Sequence, residues 1–218
     1  MIDLHTHSLL SDGELLPSEL ARRAEEKGYT AMAITDHVDV SNFESVIPSI
    51  IKVCRAINNS MRIRVIPGCE ITHVPPDDIK EFARLCRNLG AKIIVVHGET
   101  PVEPVKDGTN HTAIISDVDI LAHPGLLSVE DAEIAANRNI AIEISARQGH
   151  CLGNGNVVKL WMKYNFPVVF NTDSHSPENL VNDSFARKVL LCAGVEETKL
   201  EIVFNTSRDI VRKFFPEF

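Results

Sequence analysis

Two histidines one residue apart open the chain, in Asp3-Leu-His5-Thr-His7, and Ser11-Asp12-Gly13 follows at once. Met1–Leu4 reads as a short buried strand. Alternate strand residues face the same side, so His5 and His7 at its end can reach one ion. With Asp12 just beyond, this is half of a metal site, and the rest of the chain must supply the other half. It does so at intervals: Ile34-Thr-Asp-His37, Gly68-Cys-Glu70, Val95-Val-His97, Ala122-His123 and Thr172-Asp173-Ser-His175 each place metal-type side chains after an apolar run. The candidate ligands are His5, His7, Asp12, His37, Glu70, His97, His123, Asp173 and His175, six imidazoles and three carboxylates. A catalytic zinc-type site uses about three protein ligands and keeps a position for water. Nine ligands therefore suit three divalent ions, or two with orienting partners to spare. Mixed imidazole and carboxylate donors without a thiolate fit zinc, manganese or iron and argue against a structural zinc knot. The positive charge of three such ions outweighs the negative charge of the three carboxylates and favours a phosphate ligand.

Other polar residues invite separate readings. Arg147 follows the one strand end without a metal-type residue, and a guanidinium there can hold a phosphate through two parallel hydrogen bonds. The glycine-rich stretch Gln148–Asn156 leads into a helix start, where free N–H groups can also meet an anion. Asp3 and Asp36 adjoin candidate ligands and suit either an orienting role or a turn. His73, His111 and His150 lie away from strand ends and read as surface residues. Glu99 reads as loop surface, and Glu143, inside a strand, is left with either face open to it.

The elements that must position these groups repeat seven times as strand, polar end, helix. The strands are read at 1–4, 31–34, 63–66 (continuing to Glu70), 92–96, 120–122, 140–144 and 167–170. Helices are expected from Pro17 to Gly28, Phe43 to Ile57, Pro76 to Gly90, near Thr112, after Ser128, Asn156 to Asn165, and from a Ser176-Pro177 cap to Cys192. Ser128 with Asp131, and Thr206 with Asp209, read as capping boxes. The loop from Glu99 to Asn110 is a candidate lid or rim. Strands alternating with helices imply a parallel sheet. No Gly-x-Gly-x-x-Gly turn follows the first strand, which weakens a dinucleotide fold. An open sheet gathers ligands at one crevice, whereas a closed barrel brings every strand's C-terminal end to one mouth. Polar groups at six of seven strand ends therefore predict a distorted seven-stranded (β/α)7 TIM-like barrel.

Bulk properties agree. The 218 residues, 44% apolar, are enough for one core, and residues 1–218 are expected to form a single domain without a linker. A net charge of −8 leaves no basic surface for nucleic acid. The five cysteines form no CxxC pair and read as reduced thiols. No apolar run is long enough to span a membrane, and the first strand leaves no room for a signal peptide, so the expected compartment is cytoplasmic.

These motifs together, from Asp3 to His175, resemble the successive motifs of the PHP (polymerase and histidinol phosphatase) family. The resemblance implies a distorted barrel, a trinuclear centre of zinc, manganese or iron, and phosphoester hydrolysis by a metal-bridging hydroxide. It implies that His5, His7, Glu70 and Asp173 hold one ion. Glu70 would bridge to a second, held also by His97 and His123, and Asp12, His37 and His175 would hold a third. Asp12 stands where some members have histidine. Glu70, through its bridge, and Arg147, which resembles an arginine that grips substrate phosphate, are the residues placed at the reacting group. The implied partner is a small phosphorylated substrate: histidinol phosphate, a nucleotide, a nucleoside bisphosphate or a sugar phosphate. A 3′–5′ exonuclease ranks second, because the acidic chain lacks a basic or aromatic stripe for a strand. A non-catalytic metal-binding scaffold ranks last. The sequence leaves oligomeric state open.

Overall fold

The structure is a computed structural model that describes all residues, Met1–Phe218. Its strands are β1 (Ile2–Asp3), β2 (Ala31–Ile34), β3 (His37–Val38), β4 (Arg64–Ile71), β5 (Ile93–His97), β6 (Ile120–Ala122), β7 (Ala141–Ser145) and β8 (Val168–Asn171). All pairings are parallel, in the order β1-β2-β4-β5-β6-β7-β8, with the short β3 continuing the edge of β4 beyond β2. Seven strands thus nearly close a barrel, the architecture the alternating pattern predicts. No ladder joins β1 to β8. The seam is closed by side chains: Asn171 Oδ1 accepts from the Leu4 N–H at 2.8 Å, Thr172 Oγ1 donates to Asp3 Oδ2 at 2.6 Å, and an isolated bridge pairs Thr6 with Ser174.

The helices are α1 (Pro17–Glu26), α2 (Phe43–Ser60), α3 (Pro76–Leu89), α4 (Thr109–Ile115), α5 (Val129–Arg138), α6 (Asn154–Tyr164), α7 (Asp183–Cys192) and α8 (Leu200–Arg212). Each buries one face on the sheet, and the resulting core holds 48 buried residues. A second apolar cluster fills the barrel interior, with Leu4, Ala31, Ile66, Ile93, Ile120 and Val169 among its residues. The end of α8 and Phe214, Phe215 and Phe218 pack against this cluster. Both faces of each strand are therefore buried, as parallel barrels require.

Several local expectations shift. Ser176-Pro177 begins a loop, and α7 starts seven residues later, where Asn182 Oδ1 accepts from the Phe185 N–H at 2.9 Å. Thr206 and Asp209 are no capping box. They lie inside α8, and Thr206 Oγ1 donates to the carbonyl one turn back. Ser128 does cap α5, with its Oγ accepting from the Asp131 N–H at 3.0 Å. No helix is long and apolar enough to cross a membrane.

Candidate metal centre

Every candidate ligand arrives at the C-terminal mouth of the barrel. His5 and His7 follow β1, His37 opens β3, Glu70 lies near the end of β4, His97 ends β5, His123 follows β6, and Asp173 and His175 follow β8. Asp12 sits on the turn after His7. Asp36 builds that turn: its carboxylate accepts from the N–H groups of Ser8 and Ser11 and from both hydroxyls. Asp3 accepts from the His5 N–H and from Thr172. Both acids thus hold backbone, the turn role among the two readings.

The donors cluster closely. Glu70 Oε1 lies 3.2 Å from His5 Nε2 and 3.6 Å from His123 Nε2, and Asp173 Oδ1 lies 3.2 Å from His7 Nε2. Asp12 Oδ1 is 3.2 Å from His175 Nε2 and 3.5 Å from His37 Nε2. Four groups bring at least three potential ligand atoms within 4.8 Å of one another: His5-His7-Glu70, His5-His123-Asp173, His7-Asp12-His37-His175 and His97-His123-His150.

Ring orientation fits cations. His5 Nδ1 meets Glu143 Oε2 at 2.8 Å, His37 Nδ1 meets Thr72 Oγ1 at 2.7 Å, His97 Nδ1 faces the Gly98 carbonyl at 3.2 Å, and His150 Nδ1 meets Thr100 Oγ1 at 2.7 Å. An Nδ1–H held by a protein oxygen leaves Nε2 with its lone pair toward the mouth, the arrangement that orients a metal-bound histidine. Glu143, unassigned from sequence, therefore faces the barrel interior beneath His5, and Asn171 Nδ2 donates to it at 2.9 Å. His175 Nδ1 lies 3.0 Å from the Asp173 carbonyl and 2.6 Å from Arg147 Nη1. Donation from Nδ1–H to that carbonyl, which frees Nε2, is incompatible with a guanidinium donating to the same nitrogen.

Polar satisfaction tests the fit independently. Buried side-chain atoms without any hydrogen-bond partner number nine, and all but Asn156 Oδ1 belong to His5, His7, Glu70, His123, Glu143 or Asp173. Buried polar groups are otherwise paired nearly always. Both ring nitrogens of His7 and of His123 are orphaned in this way. Such atoms, concentrated at one spot among imidazoles and carboxylates, fit divalent cations. Backbone strain gathers there too: His123 and Asp173 have φ of 25° and 51°, in the left-handed region that side chains resist.

Buried charges here act on one another at short range. Burial opposes a charge on His5, but Glu70, Glu143 and Asp173 outweigh it and hold the imidazolium well above the usual histidine range. His7 goes the other way, kept neutral by burial and by the nearby His37. Burial opposes ionisation of Glu70, yet His5 and His37 hold it well below the usual carboxylate range. Burial pushes Asp173 up. His97 is raised because its hydrogen bond with Glu103 offsets the cost of burial.

The mouth opens into a cavity of about 350 Å³ lined by twelve residues, none hydrophobic. Arg147 is at its edge: Nη1 donates to the Asp173 carbonyl at 2.9 Å, and Nε lies 3.5 Å from Asp173 Oδ2. The 99–110 loop is pinned at its base, where Asn110 N donates to Glu99 Oε1 and Glu99 N donates to Asn110 Oδ1. Glu99 thus ties the loop. Glu103, unremarked in sequence, faces the cavity, with Oε2 3.1 Å from His97 Nε2. That hydrogen bond holds its carboxyl down to about 2.

His150 corrects a sequence expectation. It is 4% exposed, not a surface residue, and its ring stacks on His123 at 4.1 Å. Gly149, at φ 88°, turns the chain back over the mouth, and Gly153 packs so tightly on Gly125 that a Cβ would sit 2.8 Å from its Cα. The glycines serve this close packing, and at the start of α6 the Asn154 side chain is engaged with Ser145. His73 is half-exposed on the rim, 3.7 Å from Glu103, and His111 pairs with Asp131 at the surface.

The family profile of the PHP domain matches residues 3–116, just over half of the chain. An uncharacterised protein of Methanocaldococcus jannaschii is 46% identical over 91% of this chain and 92% of its own length. The chain belongs to the PHP domain family. The DNA polymerase/3′-5′ exonuclease PolX of Bacillus subtilis is 26% identical over 95% of this chain, which spans 40% of that protein. Among solved structures, a chain in archaeal ribonuclease P with mature tRNA superposes with a TM-score of 0.73 at 20% identity, covering 96% of this chain and 89% of that one. Histidinol phosphate phosphatase from Lactococcus lactis, solved with zinc, L-histidinol and phosphate, gives 0.61 at 14% identity, covering 89% and 94%. At these identities the likeness is one of fold.

Proposed function

We propose that this chain is a metal-dependent phosphatase of small phosphate esters. The observation that carries this reading is the set of orphaned buried donors, of which Asp173 lines a small cavity without apolar lining, with a guanidinium at its edge. His5, His7, Glu70 and Asp173 would hold one ion, Glu70, His97 and His123 a second, and Asp12, His37 and His175 a third. Ions held there would polarise phosphoryl oxygens, lower the pKa of water and stabilise the leaving oxygen. Glu70 would be the carboxylate shared between the first ion and the second. Arg147 binds and orients the phosphoryl group through paired N–H donors. In swinging from His175 toward the substrate it leaves Nδ1–H of that ring free to donate to the Asp173 carbonyl.

Likeness to the phosphatase solved with L-histidinol and phosphate supports this substrate class. Likeness to the PolX exonuclease supports a second reading, cleavage of nucleic-acid ends by the same groups. The cavity favours the first, because its lining has no Phe, Tyr, Trp or apolar platform for stacked bases.

The test is phosphate release from a panel including an aryl phosphate, histidinol phosphate, nucleotides and sugar phosphates, after reconstitution with manganese, iron or zinc. Turnover is expected, and Arg147→Ala should raise KM by about tenfold or more while metal content stays unchanged. No turnover on any ester with any metal would overturn the reading. Cleavage of labelled single-stranded DNA alone would select the nuclease.

A further inference from the structure

We propose that His150 is a fourth protein ligand of the ion that Glu70, His97 and His123 hold, so that this ion has a closed shell and the exchangeable position lies across the cavity. The inference rests on the metal-dependent reading above and adds a ligand outside the nine strand-end residues.

Three imidazoles converge here. Each of His97, His123 and His150 offers a nitrogen within 4.8 Å of the others, and all three residues are buried. Neither nitrogen of His123 has a partner. His150 is oriented as a ligand should be: Thr100 Oγ1 holds Nδ1 at 2.7 Å, and Nε2 lies 3.4 Å from Glu103 Oε1 and 3.8 Å from Asp173 Oδ2. A histidine buried for packing alone would need this hydrogen bond but not an Nε2 turned toward the other donors. Glu70 Oε1, 3.6 Å from His123 Nε2, supplies the fourth donor.

With zinc, four protein donors fill a tetrahedral shell, as in structural zinc sites, whereas catalytic sites keep one position open. The opposite flank differs. His7, Asp12, His37 and His175 form the group there; with His7 assigned to the first ion, three donors remain for the outer one, and the Asp12 side chain is 56% exposed. The inner ion then fixes the cavity wall and its charge, and the outer ion is the one whose coordination can change with substrate.

The probe is Co²⁺ or Zn²⁺ alone, titrated into the full chain against a chromophoric chelator, with bound metal counted by elemental analysis. His150→Gln should weaken one ion by at least about tenfold and leave the others unchanged. The Co²⁺ protein should also lose one hyperfine-shifted imidazole N–H resonance. If circular dichroism shows His150→Gln unfolded, Thr100→Val carries the test: the same resonance should exchange faster or disappear, and an unchanged set of resonances would overturn the proposal. Unaltered affinity, count and resonances in folded His150→Gln, with an ion lost in His97→Ala, would also overturn it and leave the metal-dependent reading intact. If His97→Ala loses no ion either, the second metal position itself is wrong, and the proposal falls with it.

Discussion

At the end where its strands begin, the barrel is filled by Leu4, Ala31, Ile66, Ile93 and Ile120 and covered by α8 and the terminal phenylalanines. At the end where the same strands finish, it holds nearly all of the molecule's orphaned buried polar atoms and three residues with strained φ, His73, His123 and Asp173. One set of strands thus carries a dry plug and an ionisable cluster a few residues apart. The difference teaches where stability is made and where it is given up: apolar burial at one end and around the sheet supports unpaired polar groups at the other, each costing about 1–3 kcal/mol until a ligand satisfies it.

The largest effect should come from breaking the plug. Ile120→Ala is expected to cost about 2–5 kcal/mol of unfolding free energy in a denaturant titration, with metal content per folded chain unchanged. Loss of metal in parallel with stability would mean that the two ends are not separable. Glu143→Gln should act in the opposite sense. It keeps the shape beneath His5 but weakens the grip on Nδ1, so ion affinity should fall about 10–100-fold while the metal-free protein loses little stability. A smaller effect sharpens the contrast through pH. His5, His37 and His97 are held above the ordinary histidine range, so a larger share of each ring carries the extra proton that an incoming ion must displace than in a free histidine. Metal uptake should therefore release protons, and affinity should fall by about tenfold per pH unit for each proton displaced as the solution is acidified. Calorimetry in two buffers of different ionisation enthalpy measures this. Uptake without proton release would contradict the arrangement of charges.

Much of the mouth was legible because parallel topology makes strand ends converge. Once His5, His37, Glu70, His97, His123 and Asp173 were read as following apolar runs, a barrel was the architecture that brought them together. Glu143 stayed ambiguous for a physical reason: in a strand buried on both faces, alternation carries no polarity signal, so nothing in Ile140–Ile144 says which face looks inward. His150 was missed because it reaches the mouth from a turn. Its position depends on the positive φ of Gly149 and the backbone contact of Gly153 with Gly125, which no strand-end pattern encodes. Glu103 was hidden similarly, in a loop whose base is fixed by the Glu99–Asn110 pair. The helix expected from Ser176 failed because Asn179 Oδ1 accepts from the N–H groups of His175 and Ser176, holding the segment as a loop until Asn182 caps α7.

The central claim, that scattered donors share cations at one mouth, is tested most directly by anomalous scattering from crystals grown with manganese or zinc. The account predicts separate peaks within coordination distance of His5 and His7, of His97 and His123, and of His37 and His175. A map without anomalous density among these side chains, from protein saturated with metal in solution, would contradict it.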